Sequence, residues 1–321
     1  MKDIVVWTGH DDNDALCEAL GRVPTVRALP AKDASEAQAL MLRADGLIMN
    51  NMRWNADFAR VLASAPRLTW IQVLNAGFDN MERLGVPDRV VVSTIGDIAS
   101  TVVAEHAMAL LLALVRRVPQ SLSAQHRSEW KRAIAPTETL GDMNVAVLGY
   151  GHIGQRVVSL LQAFGARPLV VASAERRTQN GMHVRALDSL QLVLGQASAL
   201  VICAPLNEAT RKVVNQAAFA AMRAGSYLVN VSRGGIVDTD AVVAALESGA
   251  LAGAAMDVTD PEPLPAAHPL WQHPNVLLTP HVASSGTTDA ERTRLREFLV
   301  EQVRRFVNGD EVLYRARLKR S

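Results

Sequence analysis

Apolar residues fall in short runs through the first hundred positions, at residues 4–7, 46–49, 70–74 and 90–92. Runs this short, bounded by turn-forming residues, predict strands buried on both faces. Between them, residues 12–20 and 56–63 repeat apolar positions every three or four residues, which predicts amphipathic helices. A longer apolar stretch predicts a buried helix over residues 98–117, with Pro119 just past its end. Glu105 and His106 interrupt it, and it falls short of the roughly 20 residues that a bilayer requires.

A second alternation follows. Strands are expected at residues 144–148, 169–172, 199–203, 227–231, 254–257 and 276–279, and helices at 153–164 and 241–248. Residues 260–274 hold five prolines and read as a loop. Residues 289–307 predict a last helix, which lies beyond the second alternation and is expected to pack back on the first. No repeat of solenoid period and no low-complexity tract is present. The fold class is therefore α/β, with two doubly wound parallel-sheet domains.

Composition narrows the function classes. The chain has 321 residues, 49% of them hydrophobic, enough for two cores. Basic and acidic residues nearly balance, 33 against 32, so no nucleic-acid partner is expected. The one basic cluster, Arg315, Arg317, Lys319 and Arg320, reads as a solvated tail. Two cysteines, Cys17 and Cys203, exclude a disulfide scaffold and fit a reduced, cytoplasmic setting. Met1, Lys2 and Asp3 lead straight into an apolar run, so no signal peptide is expected.

The first chemistry-bearing motif is Gly149-Tyr150-Gly151-His152-Ile153-Gly154, a GxGxxG pattern. It stands after a predicted strand and opens a predicted helix, the context in which this pattern binds a dinucleotide. Gly149 permits the tight turn, Gly151 lets the backbone approach a pyrophosphate, and Gly154 lets helix and strand pack closely. The helix N-terminus offers N–H groups and positive dipole to the phosphates. His152 enters through its backbone. Its ring, like that of His106, reads as packing or capping.

The end of the next strand bears on the cofactor. Ser173 stands where an acidic residue would accept the ribose 2′-OH of NAD, and Arg176 and Arg177 follow, able to hold a 2′-phosphate. This pattern favours NADP(H). Glu175 keeps NAD(H) open if the loop is one or two residues longer.

Three further segments put polar residues at predicted strand ends: Asn230 to Asp238, Ala255 to Pro263 and Thr279 to Ser284. In open parallel sheets ligands bind outside the carboxyl ends of strands, so Arg233, Glu262 and His281 are expected to converge near the nicotinamide. No metal site is expected, because His268, His273 and Cys203 lack ligand spacing.

With these motifs the chain resembles the D-isomer-specific 2-hydroxyacid dehydrogenase family, which includes the glyoxylate/hydroxypyruvate reductases. The resemblance covers essentially the whole chain and is densest from Leu140 to Ser284. It extends to Val103-Ala104-Glu105-His106 and to Cys203-Ala204-Pro205-Leu206 with Asn207 and Thr210. It implies a Rossmann dinucleotide-binding domain, residues 99–286, inserted into a flavodoxin-like substrate domain, residues 1–98 plus 287–321. It implies reduction of a small 2-keto acid to the D-2-hydroxy acid. Arg233 would grip the carboxylate with its planar fork, and His281 would act as acid and base at the keto oxygen. Glu262 would fix the imidazole tautomer and favour its protonated form. Cofactor contacts are implied for Cys203, Ala204, Pro205, Thr210, Val231, Ser232, Arg233, His281 and Ala283, and Asp257 would bond the nicotinamide carboxamide. Asn75, Ala76 and Gly77 resemble the family's substrate loop, whose backbone N–H groups bind the carboxylate. Arg53 and Trp54 are candidates for the side-chain end of the substrate pocket, or equally for the surface. Glu262 stands where formate dehydrogenases carry glutamine, so formate is not expected. No added regulatory domain is expected after Ser321.

A homodimer is also implied, with the apolar helix 101–115 and the arm around Trp130 as the contact, since that much apolar surface would otherwise be exposed. No membrane partner is expected. The alternatives are a nucleotide-sensing corepressor-like dimer and a dehydrogenase of another small reductant such as phosphite.

Overall fold

The computed structural model describes residues 1–8, 13–132, 138–284, 289–316 and 318. Of the basic tail, Arg317, Lys319 and Arg320 lie outside the described residues. The chain divides into two compact units, Met1–Ala99 with Thr287–Ser321 and the continuous stretch Ser100–Gly286.

In the first unit β1 (Lys2–Trp7), β2 (Val26–Pro30), β3 (Gly46–Met49), β4 (Trp70–Val73) and β5 (Val91–Ser93) form one sheet. The strands run parallel in the order β2-β1-β3-β4-β5, the flavodoxin-like doubly wound order. Alternate side chains of each strand serve opposite faces. Val5, Leu47, Met49 and Ile71 enter one core, closed by Phe58 and Leu62 of the helix Ala56–Ala63 and by Met41 of Ala34–Met41. Ile4, Val6, Ile48 and Trp70 enter the other, closed by Leu16 and Leu20 of Asn13–Gly21 and by Leu299 and Val303 of Asp289–Asn308. The last helix thus returns to the first sheet.

A buried polar network ties it there. Gln72, fully buried in β4, accepts from Ser93 Oγ at 2.7 Å and from Gln302 Nε2 at 2.9 Å. Gln302 also donates to Leu313 O and accepts from Leu313 N, at 2.9 and 2.8 Å. The C-terminal segment then lies along β5, with Thr94 N donating to Tyr314 O and Ala316 N to Val92 O.

Among its described residues the second unit holds eight strands: β6 (Asn144–Leu148), β7 (Arg167–Ala172), β8 (Arg176–Arg177), β9 (His183–Ala186), β10 (Ala199–Ile202), β11 (Ser226–Asn230), β12 (Leu251–Met256) and β13 (Val276–Leu278). Their order is β13-β12-β11-β10-β6-β7-β9-β8, parallel except for the β8–β9 pair. Strand order reverses between β6 and β10, the Rossmann switch point where a dinucleotide binds.

Several elements had no clear signal. Val26–Pro30 carries an arginine and ends on proline, and it survives as a strand because it lies at a sheet edge. Pro119 does lie past the end of the helix Ser100–Val115, yet it also falls in the first turn of a new helix, Val118–His126. Proline is tolerated there because the first helical N–H groups have no partner in the helix.

The surface argument for the dimer contact needs correction. The helix Ser100–Val115 packs against His152–Ala163 and against β11 and β12, which buries Met108, Leu111, Leu114 and Val115 within its own unit. In the segment that follows this helix Val118 and Leu122 are exposed, and Trp130 is 90% exposed. No helix among the described residues is long and apolar enough to cross a membrane.

Candidate active site

The glycine turn sits between β6 and the helix His152–Ala163. Gly149 has φ +104°, a conformation that side chains disfavour, and a Cβ there would collide with the backbone of Cys203 and Ala204 at the exit of β10. A Cβ on Gly154 would run into the Gly149 carbonyl. Gly151, the helix N-cap residue, differs: nothing lies within 4 Å of where its Cβ would stand. Two glycines are therefore required by internal packing, and the third leaves open space at a helix N-terminus. That combination fits a pyrophosphate.

Ser173 follows directly on β7 and is exposed, as are Glu175, Arg176 and Arg177. Arg176 stacks over the Tyr150 ring at 5.7 Å and donates to Tyr150 O at 3.4 Å, which brings a guanidinium beside the glycine turn. Glu175 accepts from His183 Nε2 at 2.8 Å, on the neighbouring strand β9. The loop after β10 is closed by Thr210, whose hydroxyl donates to Pro205 O at 2.7 Å and accepts from Asn207 N at 2.8 Å. Ser232 donates its hydroxyl to Ala204 O, tying that loop to the loop after β11. Burial pushes the Cys203 thiol up to about 12, so it stays a neutral packing group.

Arg233, Glu262 and His281 follow the carboxyl ends of three neighbouring strands, β11, β12 and β13. His281 Nδ1 stands 2.6 Å from Glu262 Oε1, a short hydrogen bond that engages one ring nitrogen and leaves Nε2 outside it. Arg233 is half-buried and donates Nη1–H to Ser232 O at 2.8 Å. His281 has φ +54°, a left-handed backbone that a non-glycine residue adopts only under restraint.

Asp257, at the end of β12, supplies that restraint. Its buried carboxylate accepts from Val282 N at 2.9 Å, Ala283 N at 3.0 Å and the Thr279 hydroxyl at 2.6 Å, and its backbone oxygen accepts from His281 N at 2.8 Å. Three side-chain bonds to one turn make it the clamp of the histidine loop, a duty that the carboxamide contact implied by the resemblance did not include. Thr279 heads the polar segment at the end of its strand, but nothing in the sequence assigned it a role of its own.

Asn75, Ala76 and Gly77 belong to the first unit, just after β4. The Asn75 side chain accepts from Asn51 N at 2.8 Å, which fixes the loop. Trp54 is 1% exposed in the core beside Phe58, so it does not line a pocket. Burial of its large apolar ring decides that position. Arg53 lies over the Trp7 ring at 5.1 Å. No group of three or more His, Cys, Asp or Glu among the described residues is arranged to hold a metal ion.

Residues 108–283 match the family model for the D-isomer specific 2-hydroxyacid dehydrogenase NAD-binding domain. A glyoxylate reductase from Aeropyrum pernix is 35% identical over 264 residues, covering 78% of this chain and 76% of that protein. Among solved structures, a D-isomer specific 2-hydroxyacid dehydrogenase family protein from Aeromonas salmonicida superposes with TM-score 0.82 at 26% identity, over 99% of each chain. A relative from Xanthobacter autotrophicus, solved with NADPH and MES, gives 0.81 at 27% identity over 98% of each. With its sheets in the flavodoxin-like and Rossmann orders, this chain belongs to the D-isomer-specific 2-hydroxyacid dehydrogenase family of NAD(P)-dependent oxidoreductases.

Proposed function

We propose that the protein reduces a small 2-keto acid of the glyoxylate or hydroxypyruvate kind to its D-2-hydroxy acid, with NADP(H) favoured over NAD(H). The observation that carries the reading is the 2.6 Å contact between His281 and Glu262, on strand ends beside the one that presents Arg233. The nicotinamide supplies the hydride when bound. Arg233 binds the substrate carboxylate and polarises the keto oxygen. His281 donates its Nε2 proton to the keto oxygen as charge develops there, and removes it in the reverse direction. Glu262 accepts from Nδ1 throughout, which fixes the tautomer and stabilises the imidazolium.

The phosphates fall to the backbone of Gly149 through Gly154. Val231, Ser232, Asp257 and Ala283 line the nicotinamide end, and Cys203, Ala204, Pro205 and Thr210 the stretch between. The NADP(H) preference rests on Ser173 in place of an acid, on Arg176 beside Tyr150, and on Glu175 being engaged by His183. The glyoxylate reductase relative supports the small substrate. The exposed Trp130 supports a homodimer, which light scattering showing a monomer at micromolar concentration would refute.

Steady-state assays with glyoxylate, hydroxypyruvate and longer 2-keto acids, each with NADPH and NADH, test the proposal. Turnover of the small acids with an NADPH preference is expected. No turnover of any 2-keto acid would remove the substrate reading, and an NADH preference would remove the cofactor reading alone. His281→Ala should lower kcat by roughly 100-fold or more while dinucleotide binding persists, since acid–base catalysis supplies about 10²–10⁴.

A further inference from the structure

His106 lies in the helix Ser100–Val115, distant in sequence from every strand end that carries the candidate chemistry. Its imidazole is largely buried, and Nε2 stands 3.1 Å from Thr279 Oγ1 and 3.4 Å from Asp257 Oδ1. We propose that His106 is a positioning residue for the candidate acid His281, acting through Thr279 and Asp257 on the turn that carries it. The inference rests on the proposed role of His281 and adds a residue to which that reading gives no part.

The direction of the hydrogen bonds follows from proton accounting. The Thr279 hydroxyl has one proton and stands 2.6 Å from Asp257 Oδ1, where a carboxylate can only accept. Its proton therefore goes to Asp257. The contact with His106 can then form only if Nε2 carries a proton and Thr279 Oγ accepts it. Nε2 also stands 3.4 Å from Asp257 Oδ1. The chain of donors runs from His106 to Thr279 to Asp257, and Asp257 in turn accepts from Val282 N, Ala283 N and, through its backbone oxygen, His281 N.

This arrangement has a job to do. His281 holds φ +54°, a conformation that persists only where its surroundings over-determine it. The turn is gripped from beneath by a carboxylate that no longer meets water. Each oxygen of a buried carboxylate needs donors held in place around it, and Thr279 is one of them, so freeing Thr279 from His106 loosens the grip on the turn. His106 supplies the only imidazole near that carboxylate among the described contacts, and it comes from a separate helix. The helix thereby anchors the turn to the interior of the unit. A small displacement of the turn would move His281 Nε2 off the line of proton transfer, where an error of about 1 Å can cost on the order of 100-fold.

Two variants separate positioning from bulk. His106→Gln can return an N–H donor near the Nε2 position, and His106→Phe fills the space without a donor. Hydrogen exchange of the peptide spanning residues 276–284 reads the turn directly and requires no turnover. His106→Phe should exchange the Val282 and Ala283 amides about 10-fold faster than wild type, while His106→Gln stays within about a factor of two. With a 2-keto acid and NADPH, His106→Phe should lower kcat about 10-fold with little change in dinucleotide Kd. Its solvent deuterium effect on kcat should rise, because the proton step then limits turnover. The Gln variant should recover most of the loss.

Equal exchange in wild type and His106→Phe would overturn the proposal, as would equal slowing by both variants in folded protein. A wild-type protein inactive on every 2-keto acid would instead remove the substrate reading, and the exchange measurement would still decide whether His106 holds the turn.

Discussion

Glu262 offers the sharpest single test of the acid–base pair. Its Oε1 is 2.6 Å from His281 Nδ1, and the two side chains are 35% and 25% exposed. A hydrogen bond between charged partners contributes about 1.5–3 kcal/mol, and the solvent access of both groups argues for the lower end. Glu262→Gln keeps an acceptor oxygen and the tautomer but removes the charge that stabilises the imidazolium. About 1.5 kcal/mol is then lost from the transition state, close to a 10-fold fall in kcat. Glu262→Ala removes the acceptor as well, so the ring is no longer oriented and roughly another factor of 10 follows. The assay is steady-state reduction at saturating NADPH, with circular dichroism to confirm the fold and fluorescence titration to confirm cofactor binding. The expected order is wild type, then Gln, then Ala, with dinucleotide Kd nearly constant. A Gln variant as active as wild type, or an Ala variant faster than Gln, would refute the idea that the carboxylate works through the imidazole.

Three other outcomes are expected. Gly154→Ala drives a Cβ into the Gly149 carbonyl and should destabilise the protein by about 1–3 kcal/mol in denaturant titration, whereas Gly151→Ala meets open space and should leave stability alone while weakening NADPH binding. Asp3 is held below its ordinary value by its hydrogen bond to Arg27, and Asp45 is lowered by the Asp3 N–H and by Lys2 despite its burial, so both contribute stability above pH ~4 that is lost as pH falls through their folded values. Thermal melts should therefore decline more steeply below pH ~4 for wild type than for Asp3→Asn. Gln302→Leu strands the partner groups of a buried network and should cost roughly 2–4 kcal/mol, read by chemical unfolding.

The sequence announced its strands wherever they are buried on both faces, because such strands are continuous apolar runs. Residues 46–49 and 144–148 are the clearest cases, each matching its strand end to end. It was poor at edges and short helices. Val26–Pro30 mixes an arginine with a proline, and Gln216–Ala221 is a single short helix whose cap, Asn215, looks like any loop asparagine. The glycine turn and the His281–Glu262 pair were legible because each chemistry needs particular residue types at strand ends. The work of Thr279, His106 and the Asp257 carboxylate was not, since three separate elements create their contacts and no local pattern encodes them. Trp54 misled for the opposite reason: a large aromatic after a strand end reads as pocket or surface, and only its burial beside Phe58 places it in the core.

The return of the last helix to the first sheet has a consequence for synthesis. Leu299, Val303 and Val312 complete a core whose other members include Ile4, Val6, Leu16 and Trp70. A ribosome therefore releases the opening segment with one side of its sheet bare, and that greasy side must wait while the whole continuous Ser100–Gly286 unit emerges. The middle of the chain can mature from its own residues, but the beginning cannot. Nascent chains halted before Leu299 should bind chaperones through the N-terminal sheet.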